Sequence, residues 1–212
     1  MMIMFTVKGA ENMKPLLFFK LVLQALITML LLQPACAAEK TTGNDETAMV
    51  LFDFRKQDDL VDWRVVNDGV MGGLSRGEII MTGSGTAVFQ GILSLENNGG
   101  FSSTRTLPRP YNLVGYEGIT LRVRGDGNMY QFRLHLDDLF DSVAYRCRFQ
   151  TEAGAWMLVE IPFNECVPVF RGRELSSVGP AVPAKIQQIG FLISDKQAGS
   201  FRLEVDWIKA YR

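Results

Sequence analysis

Few residues in this chain could do covalent or acid–base chemistry. His135 is the single histidine of 212 residues, set between Leu134 and Leu136. A histidine-cluster metal site therefore cannot form, and a histidine-dependent triad has at most one candidate base. In mid-strand, His135 reads as an ordinary hydrogen-bonded sheet residue. No Gly-x-Ser-x-Gly elbow and no phosphate-binding Gly-Lys-Ser/Thr loop occurs. Gly125-Asp126-Gly127 and Gly83-Ser84-Gly85 read as turns between strands, because no helix pattern follows either. Carboxylates offer more. Asp137, Asp138 and Asp141 crowd one loop, and Asp53, Asp195 and Asp206 lie in or beside expected strands. A carboxylate pair could hydrolyse a glycoside, and the loop cluster could hold Ca²⁺ with backbone carbonyls, although it lacks EF-hand spacing. A solvated loop is the plainer account of it. No catalytic residue, metal ligand or cofactor is assigned, and the chain is not expected to be an enzyme.

Binding is better represented. Trp63-Arg64-Val65-Val66-Asn67-Asp68-Gly69-Val70-Met71-Gly72-Gly73-Leu74-Ser75-Arg76-Gly77 joins an aromatic anchor, a strand-like Val pair, an Asn-Asp-Gly turn and a Gly-Gly step. Asn-Asp-Gly suits positive φ, and Gly72-Gly73 suits a close approach that a Cβ would block. Asp68, Gly69, Met71, Gly72, Gly73 and Ser75 are expected to form an ordered loop beside Asn98, Gly99 and Gly100, with Asp68 and Ser75 hydrogen-bonded to backbone. Arg171-Gly172-Arg173 is expected to pack over one end of the fold, with Arg171 held by a carboxylate in a bidentate pair.

The elements that must position these residues are strands. Ile119, Leu121 and Val123 alternate with polar residues; so do Tyr130, Phe132, Leu134 and Leu136, and Val143, Tyr145, Cys147 and Phe149. Ile189, Phe191 and Ile193 form one face near the end, and Phe201, Leu203, Val205 and Trp207 form one in the last strand. This period-2 pattern, broken by turn residues, predicts an all-β sandwich with little helix beyond a short turn around Arg173 to Val178. Arg122, Arg124, Arg133, His135, Arg146 and Arg148 then point away from the core. If Gln150 pairs with Trp156 across a Thr151–Ala155 turn, Arg146 opposes Glu160, and Trp156 shares one contiguous cationic face with Arg122, Arg124 and Arg133. Such a face suits a carboxylate, a sugar or an acidic protein surface. Its plainer role is ion pairing within the sheet.

The signature loop is similar to that of the complex I intermediate-associated protein 30 family, whose domain opens with Trp followed by Asp-Gly-Val-Met-Gly-Gly-x-Ser. Further blocks resemble the family in order: Phe89-Gln90-Gly91 to Ser94 with Asn98 to Ser103 and Arg105, then Gly118 to Gly127. Trp156 with Ile161-Pro162-Phe163 and Phe170 to Arg173 follows, and Ile189-Gly190 to Asp206-Trp207-Ile208 comes last. Together they cover 49–212; one departure is Cys166, where the family more often carries an aromatic. The resemblance implies a galactose-binding-like jelly-roll sandwich. It also implies a chaperone-like role in assembling a protein complex, which in the best-known members is respiratory complex I. The expected partner is thus a protein of a respiratory or envelope complex. Two rival readings are a carbohydrate-binding module, using Trp156, Trp63, Tyr111 or Tyr116, and an enzyme using the loop carboxylates.

With 22 basic and 23 acidic residues, the chain lacks the cationic excess of a nucleic-acid binder, and its length suits one domain plus an N-terminal extension. Lys14, the apolar run from Leu16 to Leu32 and Pro34-Ala35-Cys36-Ala37-Ala38 read as an export signal over 1–38, with Met13 an alternative start. An uncleaved signal or a lipidated Cys36 would anchor the protein to a membrane. Residues 39–48 read as a flexible linker. The expected location is the periplasm. There Cys147 and Cys166 form an even pair that could bond, although Cys147 on an apolar face also suits a buried free thiol.

Overall fold

The computed structural model describes residues 48–212; the expected signal, and the linker up to residue 47, lie outside them. Thirteen strands form two antiparallel sheets. In chain order they are β1 (Met49–Phe52), β2 (Trp63–Asn67), β3 (Arg76–Met81), β4 (Ala87–Leu93), β5 (Ser102–Thr106), β6 (Gly118–Arg124), β7 (Met129–His135), β8 (Ala144–Gln150), β9 (Trp156–Pro162), β10 (Val167–Phe170), β11 (Arg173–Glu174), β12 (Gln188–Ile193) and β13 (Gly199–Tyr211). The first sheet runs β3-β4-β13-β6-β9, with β1 also paired to β13; the second runs β11-β10-β8-β7-β12-β5-β2. This is the all-β sandwich that the alternation predicts, in the jelly-roll form that the resemblance implies. No helix among the described residues is long and apolar enough to cross a membrane.

The core lies between the sheets. Leu121 and Val123 of the first sheet meet Tyr130, Phe132, Leu134 and Phe191 of the second, all 0–1% exposed. Trp63 anchors the end of β2 by stacking on Phe191 at 6.1 Å and meeting Phe52 edge-on at 5.2 Å, the offset arrangements aromatic quadrupoles favour.

Three local expectations are corrected. The expected Phe201/Leu203/Val205/Trp207 face breaks at Trp207, because β13 carries a register shift between Val205 and Trp207. The extra residue flips the pleat, so Ile208 and Ala210 take the core side while Trp207 turns outward under Lys209. Gln150 does not pair with Trp156. Strand β8 lies in the second sheet and β9 in the first, so Thr151–Ala155 crosses between sheets. Arg146 accordingly stands opposite Arg133 and Val167, far from Glu160 in the pairing scheme. No helix forms over Arg173–Val178; its first two residues are β11.

Cys147 and Cys166 form a disulfide across a sequence separation of 19. It ties β8 to the segment between β9 and β10, and so links the edge of the second sheet to the chain arriving from the first.

Candidate functional site

The signature residues after β2 fold into a single 3-10 turn, Asp68–Met71, capped by Gly72 at φ 90. Positive φ is therefore needed at Gly72, whereas Asn67 is extended at φ −103 and Gly69 is not in the left-handed region. The Asn-Asp-Gly step serves by its side chains instead. Asn67 Oδ1 accepts from Gly77 N at 3.1 Å and Ser102 Oγ at 2.7 Å. Asp68 is fully buried and its carboxylate accepts four hydrogen bonds: Ser75 N at 2.9 Å, Ser75 Oγ at 2.5 Å, Gly100 N at 2.6 Å and Phe101 N at 3.3 Å. Burial pushes its pKa up, but the Ser75 hydroxyl and the three backbone donors outweigh that and hold it below the ordinary carboxylate value. A Cβ on Gly73 would lie 2.4 Å from Asp68 Cγ, so only glycine lets the chain wrap this close. The two Gly-rich segments are thus clamped together by one carboxylate, as the sequence predicts. Asn98 belongs to the second segment, in a left-handed conformation (φ 59) that Asn tolerates.

This clamp forms one wall of a cleft of ≈ 640 Å³ over the outer face of the second sheet. Val70 and Met71 stand on the wall, 68% and 64% exposed. Ser103 and Arg105 of β5, Leu192 of β12, and Arg133 and His135 of β7 line it too, as do Ala144 and Val169. The opposite rim holds Phe140, Asp141 and the Arg171-Gly172 turn. Arg171 is held by Asp141, its Nε at 3.4 Å from Oδ1 and its Nη2 on Oδ2, so the expected carboxylate clamp is present. Arg171 borders the cleft face, however, and does not cap an end of the sandwich.

The electrostatics of the floor are unusual. Burial, then the charges of Arg146 and Arg148, lower the Arg133 pKa to about 10. Burial, then Arg105 and Arg133, lower that of His135 to about 4, with Asp137 opposing weakly. His135 is therefore neutral at pH 7. It was expected to be hydrogen-bonded, yet its Nδ1 is buried with no partner.

The contiguous cationic face is not formed. Arg122, Arg124 and Trp156 lie on the first sheet and Arg133 on the second, so in a sandwich they face opposite directions. On the first sheet the cations are matched: Arg122 pairs with Asp206, and Arg124 Nη2 meets Glu204 Oε2 at 2.6 Å. Both guanidiniums also lie over the Trp156 ring, at 4.7 and 4.8 Å. Trp63 and Tyr111 are core residues, 4% and 6% exposed, so neither can be a sugar platform; Tyr116 is overlaid by Arg212. The Asp137–Asp141 loop gathers no metal site, since no group of three or more ligating side chains converges among the described residues.

Sequence reasoning placed His135 on the outward polar face, as it is, but missed Arg105 as a cleft residue and the Phe140 rim entirely. Arg105 and Arg133 both alternate outward on strands, but nothing in the order of the chain says that β5 and β7 share β12 as a neighbour.

Comparison with known proteins is consistent with this architecture. The family model described as complex I intermediate-associated protein 30 matches residues 52–205. The mitochondrial complex I intermediate-associated protein 30 of Mus musculus is 32% identical over 186 residues, covering 78% of this chain and 57% of that protein. Its Drosophila melanogaster counterpart is 26% identical over 181 residues, covering 75% and 61%. The chain therefore spans about three-fifths of the length of these relatives. Among solved structures, a family 11 carbohydrate-binding module from Clostridium thermocellum, in complex with a mixed-linked tetrasaccharide, superposes with a TM-score of 0.60. It is 16% identical and covers 78% of this chain and 95% of that one, a likeness of fold.

Proposed function

The chain belongs to the complex I intermediate-associated protein 30 family, and we propose that it is a binding module, without catalysis of its own, that holds another protein during assembly of a multi-subunit complex. The relatives are named for association with an intermediate of complex I; the chaperone-like role is the part extended to this chain. One observation carries the reading. The residues that make up the family signature build a wall of a sizeable cleft on the second sheet, and present Val70 and Met71 outward there. The motif thus shapes a docking surface. Neither candidate group is set up for catalysis: Asp68 is saturated with hydrogen bonds, and His135 is a buried neutral imidazole.

Export to the periplasm is part of the proposal. The Cys147–Cys166 bond supports it, because such bonds persist in oxidising compartments. The test is capture by tagged full-length protein after cross-linking in cells, with co-purifying chains identified. Subunits of one envelope complex should be recovered, and the paired changes Val70→Asp and Met71→Asp should abolish recovery without lowering Tm. Undiminished recovery with the altered wall would overturn the assignment of the cleft.

A further inference from the structure

The pairing registers across the second sheet place a row of arginines on its outer face, the middle two of which, Arg105 and Arg133, line the cleft floor. Arg64 is opposite Arg105, Arg105 opposite Gly190, Gly190 opposite Arg133, and Arg133 opposite Arg146. Like charges directly opposite on a sheet repel, so this row costs stability unless anions neutralise it. Only one end is paired directly, Arg146 with Glu174; Asp137 and Asp195 act on Arg105 and Arg133 from a longer range. Arg64 turns back onto the carbonyls of Val61 and Trp63, at 2.7 and 2.8 Å. Arg105 and Arg133, in the middle, have no carboxylate within 4.0 Å among the described residues.

Gly190 sits between those two. A Cβ there would lie 2.2 Å from Thr104 O and 2.8 Å from Arg105 Cβ, so no side chain can stand between the arginines. Two strand spacings separate their backbones, about 10 Å. Two guanidiniums leaning over such a gap can share one carboxylate. Arg133 already spends Nε and Nη2 on Gln131 Oε1, at 3.0 and 2.5 Å; its Nη1 donates to nothing among the described residues. Arg105 gives one bond to the Phe140 carbonyl at 3.2 Å and lies 4.7 Å over that ring.

A second, independent feature points the same way. His135 is 9% exposed and its Nδ1 has no partner; Ser142 Oγ, also on the cleft lining, is likewise buried and unpaired. A buried polar atom without a partner costs stability, a deficit that an oxygen admitted by a small shift of the lining would remove. Beside this polar centre stand Met71 and Phe140, 64% and 65% exposed.

We infer that the cleft recognises a carboxylate flanked by apolar side chains, on an extended acidic segment of the partner protein, with the carboxylate between Arg105 and Arg133 over Gly190 and the apolar groups against Met71 and Phe140. This rests on the protein-binding reading above. The carboxylate completes the donors of both guanidiniums, and His135 and Ser142 supply the remaining polar contacts.

The test uses the full chain and an acetylated, amidated hexapeptide alternating Glu and Leu, at physiological ionic strength, with its Gln/Leu twin and inorganic phosphate as comparisons. Because His135 is the only histidine, its imidazole resonances report the site without assignment. The Glu peptide should shift them, and Arg105→Gln and Arg133→Gln should each weaken binding tenfold or more. Arg133→Lys should fall between, and Arg55→Gln should bind as the wild type does. If Arg133→Gln fails to fold, Arg105→Gln carries the comparison. Equal binding by the Gln twin, phosphate binding as tight as the peptide's, or an affinity within twofold of wild type in Arg105→Gln would each overturn the inference. Loss of the captured partner in the Val70→Asp, Met71→Asp protein, with full capture in Arg105→Gln, would overturn this chemistry while sparing the module. Peptide binding with no partner captured by the wild type would count against the module instead.

Discussion

Asp68 is where the fold is most sensitive to a single atom. In Asp68→Ala, the N–H groups of Ser75, Gly100 and Phe101 lose their acceptor in a site closed to solvent. Each unmet buried donor costs about 1–3 kcal/mol; a water entering the vacated space offsets part of this, leaving about 4 kcal/mol. Ser75 Oγ adds little, since it can still donate to Ser94 O at 3.2 Å. Asp68→Asn keeps the shape but turns one acceptor into a donor facing donors, for about 2 kcal/mol. Urea unfolding measures both: with a slope of about 2 kcal/mol/M, the midpoints should fall by about 2 M and 1 M. Gly73→Ala sharpens the test, because its Cβ would strike the carboxylate it wraps. Alone it should destabilise; in the Asp68→Ala background most of that cost should vanish, a coupling of about 1–2 kcal/mol. An Asp68→Ala protein within 1 kcal/mol of wild type (about the smallest cost of a single unmet donor), or an additive cycle, would refute the clamp.

Three other outcomes are expected. Reducing the Cys147–Cys166 bond, or replacing both cysteines with Ser, should cost about 3 kcal/mol from the entropy regained by a loop of that length, read as a lower Tm in reductant. His135 has a folded pKa of about 4 against 6.5 unfolded, so the unfolded chain binds more protons between those values. Its contribution is complete above pH 6.5 and is lost progressively down to about pH 4, about 3 kcal/mol in all; His135→Gln should flatten that part of a pH–stability curve. Arg124→Glu should destabilise by about 2 kcal/mol, because it sets like charge against the buried Glu204 while Arg124 itself is 40% exposed. Partner capture should survive it at temperatures below the new Tm, and loss of capture from a folded protein would restore the first-sheet face as a site.

The strands were legible because burial on one side enforces alternation: Ile119/Leu121/Val123 and Tyr130/Phe132/Leu134 needed no tertiary information. Their partners were not legible. A tight turn and a sheet-to-sheet crossing look alike in Thr151–Ala155, and mistaking one for the other set Glu160 opposite Arg146 and joined Arg133 to the face on which Trp156 does meet Arg122 and Arg124. Trp207 was misplaced by a single extra residue that alternation alone cannot reveal. The meeting of the Gly72-Gly73 and Gly99-Gly100 segments was legible, since so much glycine in two short loops implies close approach. The cleft floor was not. Its arginines come from β5 and β7 and its gap from β12, elements distant in sequence that become neighbours only through the sheet order.

Strand β13 has a consequence for how the protein comes into being. It is the last described strand, and the middle of the first sheet: β4 and then β1 pair along one side and β6 along the other. Until the ribosome has released it, the β3-β4 hairpin and the β6-β9 strand pair are separate, each with a bare hydrogen-bonding edge. Isolated hairpins are marginal in water, and open edges invite pairing with other chains. The nascent protein therefore cannot settle piece by piece as it emerges; its first sheet closes in one late event. A stop codon between Ile193 and Gly199, which removes β13 whole, would yield an aggregating chain in place of a smaller folded domain.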